Sequence, residues 1–200
     1  MFMQVIRART TDADAVKSEM DRWVRELGPT ADGWLGTTAG VTPDGRFVAA
    51  VRFESEEAAR RNSDRPEQGE WWNDLAQHLE GEATFFESSD VSTSLGGGSD
   101  QAGFVQIMEG RVNDVQAAKE LGERMEAEMP KRRPDLMGAL DANREDGSFI
   151  SVLYFTSLEE ARQGEKEMNE NPPPEMAQWD ALMDGEMTFY DLEEPWLVSK

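Results

Sequence analysis

Residues 44–55 read DGRFVAAVRFES, and residues 146–157 read DGSFISVLYFTS. Each stretch begins with Asp-Gly, a dipeptide that favours a tight reversal because glycine accepts a positive φ. An apolar run such as 47–51 follows, with apolar groups on both faces of the predicted strand. Ser55 or Ser157 comes directly after the strand, and serine is a preferred helix N-cap. The two stretches therefore predict the same hairpin and helix start, present twice in one chain.

The repeat extends well beyond this segment. Residues 2–62 align with residues 104–164 without a gap, and residues 81–86 align with residues 185–190 after a short insertion in the second copy. Identical pairs include Phe2/Phe104, Gln4/Gln106, Asp12/Asp114, Gly36/Gly138, Phe53/Phe155 and Ala59/Ala161. A period of this length indicates a duplicated folding unit.

A glycine- and serine-rich stretch separates the two copies. We predict a first repeat at 1–91, a flexible linker at 92–102 and a second repeat at 103–200. Hydrophobic periodicity within each copy gives the order β-α-β-β-α-β, the split βαβ pattern of a four-stranded antiparallel sheet with both helices on one face. Since the strands are apolar on both faces, we expect each sheet to cover the other. The predicted fold class is α+β, with two ferredoxin-like repeats forming a pseudo-dimeric α+β barrel.

Composition excludes several classes of function. The formal net charge of −21 repels nucleic-acid backbones and anionic lipid surfaces, so we expect neither as a partner. No apolar run approaches the length of a membrane span, and the first residues lack a secretory pattern, which predicts a cytoplasmic protein. The chain has no cysteine and one histidine, His78, so we expect no metal site built on thiolates or paired imidazoles.

With its repeat and its element order, the chain resembles the dimeric α+β barrel superfamily in its tandem, fused-dimer form. The resemblance covers residues 2–90 and 103–192. It implies a small-molecule-binding barrel similar to the antibiotic-biosynthesis monooxygenases. The haem-degrading members carry an asparagine on the first strand, where this chain has Gln4 and Arg7, so we expect no haem and no other cofactor.

A ligand site is expected mainly in the first copy, where the approach to the second helical region is polar and differs most between copies. His78 stands at helical spacing with Trp72 and Leu75, at a position that the second copy fills with leucine. It is either a hydrogen-bonded residue at the edge of the core or a proton-transfer group. Trp71 and Trp72 either pack in the core or form an aromatic wall for a ligand.

Three polar residues complete the predicted site. Gln4, like its counterpart Gln106, lies in an otherwise apolar strand; the two either bond each other or water across the barrel, or line a cavity. Asp64 and Arg65 either cap and cover the start of the next helix or gate a pocket. The residue types leave these alternatives open.

Two functions from different classes fit these features. One is a cofactor-independent, monooxygenase-like or isomerase-like enzyme that acts on a small organic substrate, with His78 moving protons. The other is a non-catalytic module that senses a ligand or binds another protein. A fused pair already contains the contact that single-copy relatives make by association, so we expect a monomer, or a homodimer formed through outer helices.

Overall fold

The computed structural model describes all 200 residues. They form two compact units, Met1–Asp90 together with Glu194–Lys200, and Val91–Glu193. Each unit contains one five-stranded antiparallel sheet and its helices, so the predicted fold class of two ferredoxin-like α+β repeats is confirmed. The expectation that the two sheets cover each other stays a prediction. No helix has the length and apolar character that a membrane span requires.

The first unit follows the predicted β-α-β-β-α-β order, with one helix more. Its elements are β1 (Phe2–Arg9), α1 (Ala13–Glu26), β2 (Trp34–Val41), β3 (Arg46–Phe53), α2 (Glu56–Ser63), α3 (Pro66–Ala76) and β4 (Glu80–Ser88). The predicted cap Ser55 is present, because its Oγ accepts from the Ala58 N–H at 3.3 Å. Asp12 caps α1 in the same way, and its Oδ1 accepts from the Ala15 N–H at 2.9 Å. Each such cap stabilises its helix by about 1 kcal/mol.

The second unit repeats this order and is preceded by an additional strand. Its elements are β5 (Asp90–Ser94), β6 (Phe104–Arg111), α4 (Val115–Glu126), α5 (Met129–Arg132), β7 (Leu136–Asn143), β8 (Ser148–Phe155), α6 (Leu158–Glu170), α7 (Pro174–Leu182) and β9 (Thr188–Leu192). A last strand, β10 (Trp196–Ser199), follows. The strand orders are β10-β2-β3-β1-β4 and β5-β7-β8-β6-β9, so the two sheets have matching layouts.

Each sheet has a fifth strand that the repeat pattern does not include, and the domain boundaries stay a prediction. Residues 92–94 of the predicted linker lie in β5, which pairs with β7, and the end of the predicted second repeat, 194–200, belongs to the first unit through β10. Both added strands lie next to a β-bulge that contains one of the paired glycines, Gly36 or Gly138. A Cβ on Gly138 would lie 1.8 Å from the Gly97 carbonyl oxygen, which is why only glycine fits there.

The hydrophobic cores of the two units differ. In the first unit a single cluster of buried residues joins the sheet to its helices, and it runs from Phe2 to Leu75. In the second unit the corresponding layer holds two separate clusters, one around Phe104 and Phe155 and one around Val112 and Phe149. On the helix-facing side of the second sheet, an apolar cluster therefore lies at each end, and no cluster of buried apolar residues joins the two.

Candidate functional site

One row of residues across the second sheet includes two polar side chains, Asp141 and Ser151, on the face where an apolar core is expected. In the antiparallel register Asp141 of β7 lies opposite Ser151 of β8, Ser151 opposite Met108 of β6, and Met108 opposite Phe189 of β9. Side chains alternate along a strand, so Ser151 shares a face with Phe149. That phenylalanine packs against α4 and α7 residues, and the row consequently faces the helices.

The equivalent row of the first sheet is entirely apolar. The same register places Ala39 opposite Ala49, Ala49 opposite Ile6, and Ile6 opposite Phe85. Ala39 and Ala49 are 1% and 0% exposed and belong to the core cluster under the helices. Because the backbone pairing is identical, the difference between the two rows comes from side chains alone. The second copy has a carboxyl and a hydroxyl group where the first has two methyl groups.

Three side chains form what we call the carboxylate site: Glu126, Asp141 and Ser151. Ser151 is buried and donates its hydroxyl to Asp141 Oδ1 at 2.5 Å. Burial raises the pKa of the Asp141 carboxyl, the carboxylate of Glu126 raises it further, and the hydrogen bond from Ser151 acts in the opposite direction. Glu126 Oε1 accepts from the Leu95 N–H at 3.4 Å, in the loop after β5. Asp141 is therefore a carboxyl group that holds its proton more tightly than an exposed aspartate.

The helical layer of the second unit has an opening. Met125, the residue before Glu126 on α4, lines a cavity of about 210 Å³ between the end of α4 and the start of α7. We call this cavity the methionine opening. It is lined by Arg124, Met125, Glu128, Met129, Arg132, Pro173, Pro174 and Glu175. Helix α7 buries none of its residues, whereas α3 of the first unit buries Trp71 and Leu75.

A larger groove of about 980 Å³ runs along α6 on the outside of the same unit. Its walls are mainly charged side chains of both signs, including Arg162, Lys166 and Glu167. The most enclosed charges beside it are already paired, because Arg133 Nε and a terminal guanidinium nitrogen bind the two oxygens of Asp135 at 3.0 and 2.7 Å. The enclosed carboxylate of the groove is thus bound by an arginine, and the remaining walls are formed mainly by exposed, charged side chains.

The interior of the first unit is filled by aromatic side chains. Ring centroids are 5.0 Å apart for Trp23 and Trp34, 6.3 Å for Trp23 and Trp71, 6.2 Å for Trp71 and Trp72, and 5.6 Å for Trp72 and Phe85. Trp71 is buried and donates its indole N–H to the Glu19 carbonyl at 2.8 Å. The structure thus brings the predicted pair Trp71 and Trp72 together within a packed aromatic cluster.

The other residues predicted for the site have separate contacts. Gln4 Nε2 donates to Glu87 Oε1 at 2.6 Å on the neighbouring strand, and Gln106 Nε2 donates to Asp191 Oδ1 at 2.9 Å in the same way. Each glutamine thus binds an acidic residue of its own sheet, which neither sequence alternative anticipated. Arg65 binds the Leu27 carbonyl and the Thr30 hydroxyl, among others.

His78 does not lie on a helix, contrary to the expected stripe. Helix α3 ends at Ala76, and the His78 N–H bonds the Leu75 carbonyl at 3.0 Å in the following turn. The His78 carbonyl accepts from the Thr10 hydroxyl at 2.7 Å. The side chain of His78 is partly buried, whereas Asp64 is exposed at the end of α2. The catalytic and ligand-binding roles expected for these residues stay predictions.

Sequence reasoning missed Glu126, Asp141 and Ser151, although a signal for them exists. The gap-free alignment of the copies pairs them with Val24, Ala39 and Ala49, three apolar residues of the first core. A polar residue that replaces a buried apolar one in a duplicated fold is informative, because an unpaired buried polar group costs free energy. The sequence comparison concentrated instead on the least similar segment, between the second and third helices of the first copy.

Comparison with known proteins identifies the fold. No protein-family model matches the chain, and no curated protein sequence matches it. A putative monooxygenase from Lactobacillus acidophilus aligns with a TM-score of 0.74 at 11% identity, covering 99% of this chain and 95% of that one. One from Fusobacterium nucleatum gives 0.74 at 12% identity, covering 100% and 94%. An anthrone oxidase-like protein gives 0.62 at 12% identity, covering 98% and 93%.

These similarities extend over both units and concern the fold. The tandem ferredoxin-like fold that the repeat predicts is confirmed by these alignments. At such low sequence identity the names of the neighbours do not transfer an activity, because one fold supports many functions. The function must be argued from the residues of the site.

Proposed function

We propose that the chain is a cofactor-independent, monooxygenase-like enzyme whose reaction begins when Asp141 removes a proton from a small organic substrate. One observation carries the proposal: a partly buried carboxyl group with a raised pKa faces the helical layer of the second unit, where the first unit has Ala39. The names of the full-length structural neighbours agree with this class of reaction. Ionisable groups with shifted pKa values are concentrated at functional sites.

The three residues of the carboxylate site have distinct roles in this proposal. Asp141 is the general base, because a raised pKa brings a carboxylate closer to weakly acidic C–H and O–H groups and improves proton transfer. Ser151 binds Oδ1 of Asp141, which orients the carboxyl group and leaves its other oxygen for the substrate. Glu126 is a positioning residue that raises the pKa of Asp141 through its charge.

Proton removal is sufficient to start an oxygenation that balances without an outside reductant. The electron pair left on a methylene carbon passes to dioxygen; one oxygen atom stays on the carbon as a carbonyl and the other leaves as water. The balance is CH₂ + O₂ → C=O + H₂O. In this scheme the protein has to bind the substrate, remove the proton and keep the resulting carbanion from being reprotonated by water.

Anthrone, which has an acidic methylene group, is a suitable first substrate for the test. Oxygen uptake and product absorbance are followed in air-saturated buffer for the full chain and for Asp141→Asn. We expect Asp141→Asn to lose about a hundredfold or more in rate, the usual contribution of a general base. The control is Asp180→Asn, since Asp180 is an exposed aspartate on α7 of the same unit.

Two further results are decisive in the same assay. A rate that survives Asp141→Asn would contradict the assigned base. Exchange of the methylene hydrogens with deuterated solvent, without any uptake of oxygen, would show an isomerase-like proton transfer instead of an oxygenation. His78→Ala is measured alongside, and an unchanged rate would remove His78 from the mechanism.

A further inference from the structure

We propose that the methionine opening binds an uncharged, apolar group of the ligand, and that Met125 and Glu175 determine the size of the group that enters. This inference rests on the proposed function for the identity of the ligand as a substrate. It adds the place where the non-reacting part of the substrate binds and the residues that select it.

The first step is that two indole rings occupy the equivalent space in the first unit. The alignment of the copies pairs Met125 with Trp23, and its continuation through the later helix pairs Glu175 with Trp71. The rings of Trp23 and Trp71 lie 6.3 Å apart between α1 and α3. Their counterparts line the methionine opening between α4 and α7. The second unit has thus lost two large side chains at one place, and a cavity is found there.

The second step is that the walls of the opening can adapt to different shapes. Met125 and Met129 are partly buried, and methionine has a flexible, polarisable side chain that packs against irregular surfaces. Helix α7 buries none of its residues, so fewer packing contacts oppose a small displacement of this helix than oppose one of α3. The opening therefore tolerates groups of somewhat different outline.

The third step concerns charge and size. The rim carries two arginines, Arg124 and Arg132, and two glutamates, Glu128 and Glu175, so it favours neither an anion nor a cation. The cavity of about 210 Å³ is smaller than the roughly 300–1,000 Å³ typical of sites that enclose a whole drug-sized ligand. It fits one apolar group of a ligand. Met125, which lines the cavity, directly precedes Glu126 of the carboxylate site along α4.

The test uses the full chain and N-phenyl-1-naphthylamine, an uncharged apolar dye whose fluorescence rises on binding. We expect Met125→Trp, which restores the indole ring of the first unit, to weaken dye binding by about tenfold or more. Met125→Leu is the matched control and should bind within about twofold of the natural chain. Glu175→Trp fills the opening from the α7 side and provides a second variant if Met125→Trp does not fold, which circular dichroism shows.

A second measurement locates the dye. With ¹³C-labelled methionine methyl groups, the NMR signals of Met125 and Met129 should shift on dye addition, whereas that of Met20, in the core of the first unit, should not. The inference is overturned if the natural chain does not bind the dye, if the shifts occur elsewhere, or if both tryptophan variants bind as before. Asp141→Asn should still bind the dye. Dye binding therefore tests the methionine opening separately from the role of Asp141 as the base.

Discussion

Asp141 shows how one side chain changes the chemistry of a sheet face without changing the sheet. The pairing of β7 with β8 matches that of β2 with β3 residue for residue, including the bulge. In the first unit the alanine methyl groups allow tryptophans to pack above them. In the second, the carboxyl group of Asp141 is partly buried and its pKa is raised, mainly by burial. The neutral acid is therefore favoured there more than on an exposed aspartate.

The raised pKa of Asp141 predicts a pH-dependent effect on stability. Because the folded-state pKa lies above the unfolded-state value, ionised Asp141 destabilises the fold at neutral pH, and this effect disappears as the pH falls toward the ordinary value of 3.8. Asp141→Asn keeps an oxygen for the Ser151 hydroxyl and removes the charge. We expect it to raise the free energy of unfolding at neutral pH, because the cost of burying the charge is removed.

Urea unfolding at several pH values measures this gain, which should shrink toward acidic pH. The exposed Asp180, changed to Asn, should give a difference near zero at every pH. If Asp141→Asn were less stable than the natural chain at neutral pH, the carboxylate would be stabilising and its assignment as a group with a raised pKa would be wrong.

Arg133 gives a second prediction at the same scale. Arg133 and Asp135 are buried, at 9% and 8% exposed. Two hydrogen bonds join the guanidinium of Arg133 to both carboxylate oxygens of Asp135. The guanidinium also lies 4.9 Å from the centre of the Phe155 ring. Arg133→Ala leaves a buried carboxylate without its partner, so we expect a loss of about 3 to 5 kcal/mol in urea unfolding. The double variant Arg133→Ala with Asp135→Asn should lose less stability than Arg133→Ala alone, because the carboxylate is no longer charged. An equal loss in the two variants would contradict this explanation.

How far the site could be predicted depends on which residues are considered. The aligned copies pair Ala39 with Asp141, so the polar replacement was visible in the sequence. What the sequence does not give is that Asp141 faces the helices, because the bulge between Leu136 and Gly138 shifts the alternation of β7. Hydrophobic spacing predicts that His78, the one histidine, lies on helix α3. The helix ends earlier, at Ala76, because its end depends on local hydrogen bonds that hydrophobic spacing does not specify.

At the scale of elements, the bulge glycines connect the repeat to the fifth strands. Gly36 and Gly138 are identical in the two copies, and the backbone of an added strand or its adjoining loop lies against each. A Cβ on Gly36 would lie 2.6 Å from the Val198 carbonyl of β10, and one on Gly138 would lie still closer to the Gly97 carbonyl. An added Cβ at either position could be accommodated only by moving the backbone of the neighbouring strand or loop. The glycines are therefore required by the fifth strands.

We expect Gly138→Ala to lower the free energy of unfolding by about 2 to 4 kcal/mol, in the range of severe single substitutions. The reason is the 1.8 Å approach of the new Cβ to the Gly97 carbonyl oxygen, which would separate the loop after β5 from β7. Gly122→Ala is the control, since Gly122 lies in helix α4 with no atom within 4 Å of the added carbon. Gly122→Ala should raise the free energy of unfolding by roughly 1 kcal/mol, because alanine favours the helix more than glycine does. Thermal unfolding of both variants gives the comparison, and a neutral Gly138→Ala would contradict the packing argument.

The elements common to both copies could be predicted, and the additional strands could not. Apolar runs and the Asp-Gly turns specify the β2–β3 and β7–β8 hairpins, and serine and aspartate caps mark the starts of four helices. Strand β5 lies partly in a segment that composition identifies as a linker. It is a strand because β7 offers a free edge beside a glycine, which is a tertiary cause that local sequence does not show.

At the scale of the whole molecule, the two units differ in how completely their cores are packed. The first unit has a continuous core with three buried tryptophans and no acidic residue in the row that contains Ala39 and Ala49. The second unit has a divided core, a carboxyl group with a raised pKa and an open helical layer. Functional groups commonly lower the stability of the unit that contains them. In a duplicated chain, the other unit can keep its complete core.

The return of the chain to the first sheet gives a prediction about the molecule as a whole. After the second unit, β10 pairs with β2 from Trp196 opposite Ala39 to Ser199 opposite Gly36, and Trp196 lies 6.4 Å from the Phe47 ring. Deleting residues 194–200 would leave β2 as an exposed edge and remove these contacts, so we expect a loss of about 2 to 4 kcal/mol.

Hydrogen exchange distinguishes a local effect of this deletion from a general one. The amides of β2 that bond β10, around Thr38, should lose protection by an order of magnitude or more, because a strand edge opens more readily than an internal strand. The matched strand β7 keeps its neighbour β5 and should exchange as before. Equal protection of β2 with and without β10 would mean that the last strand adds nothing to the first sheet. In that case the first unit would be complete at Asp90, and the boundary predicted from the repeat alone would describe the folding unit better than the strand pairing does.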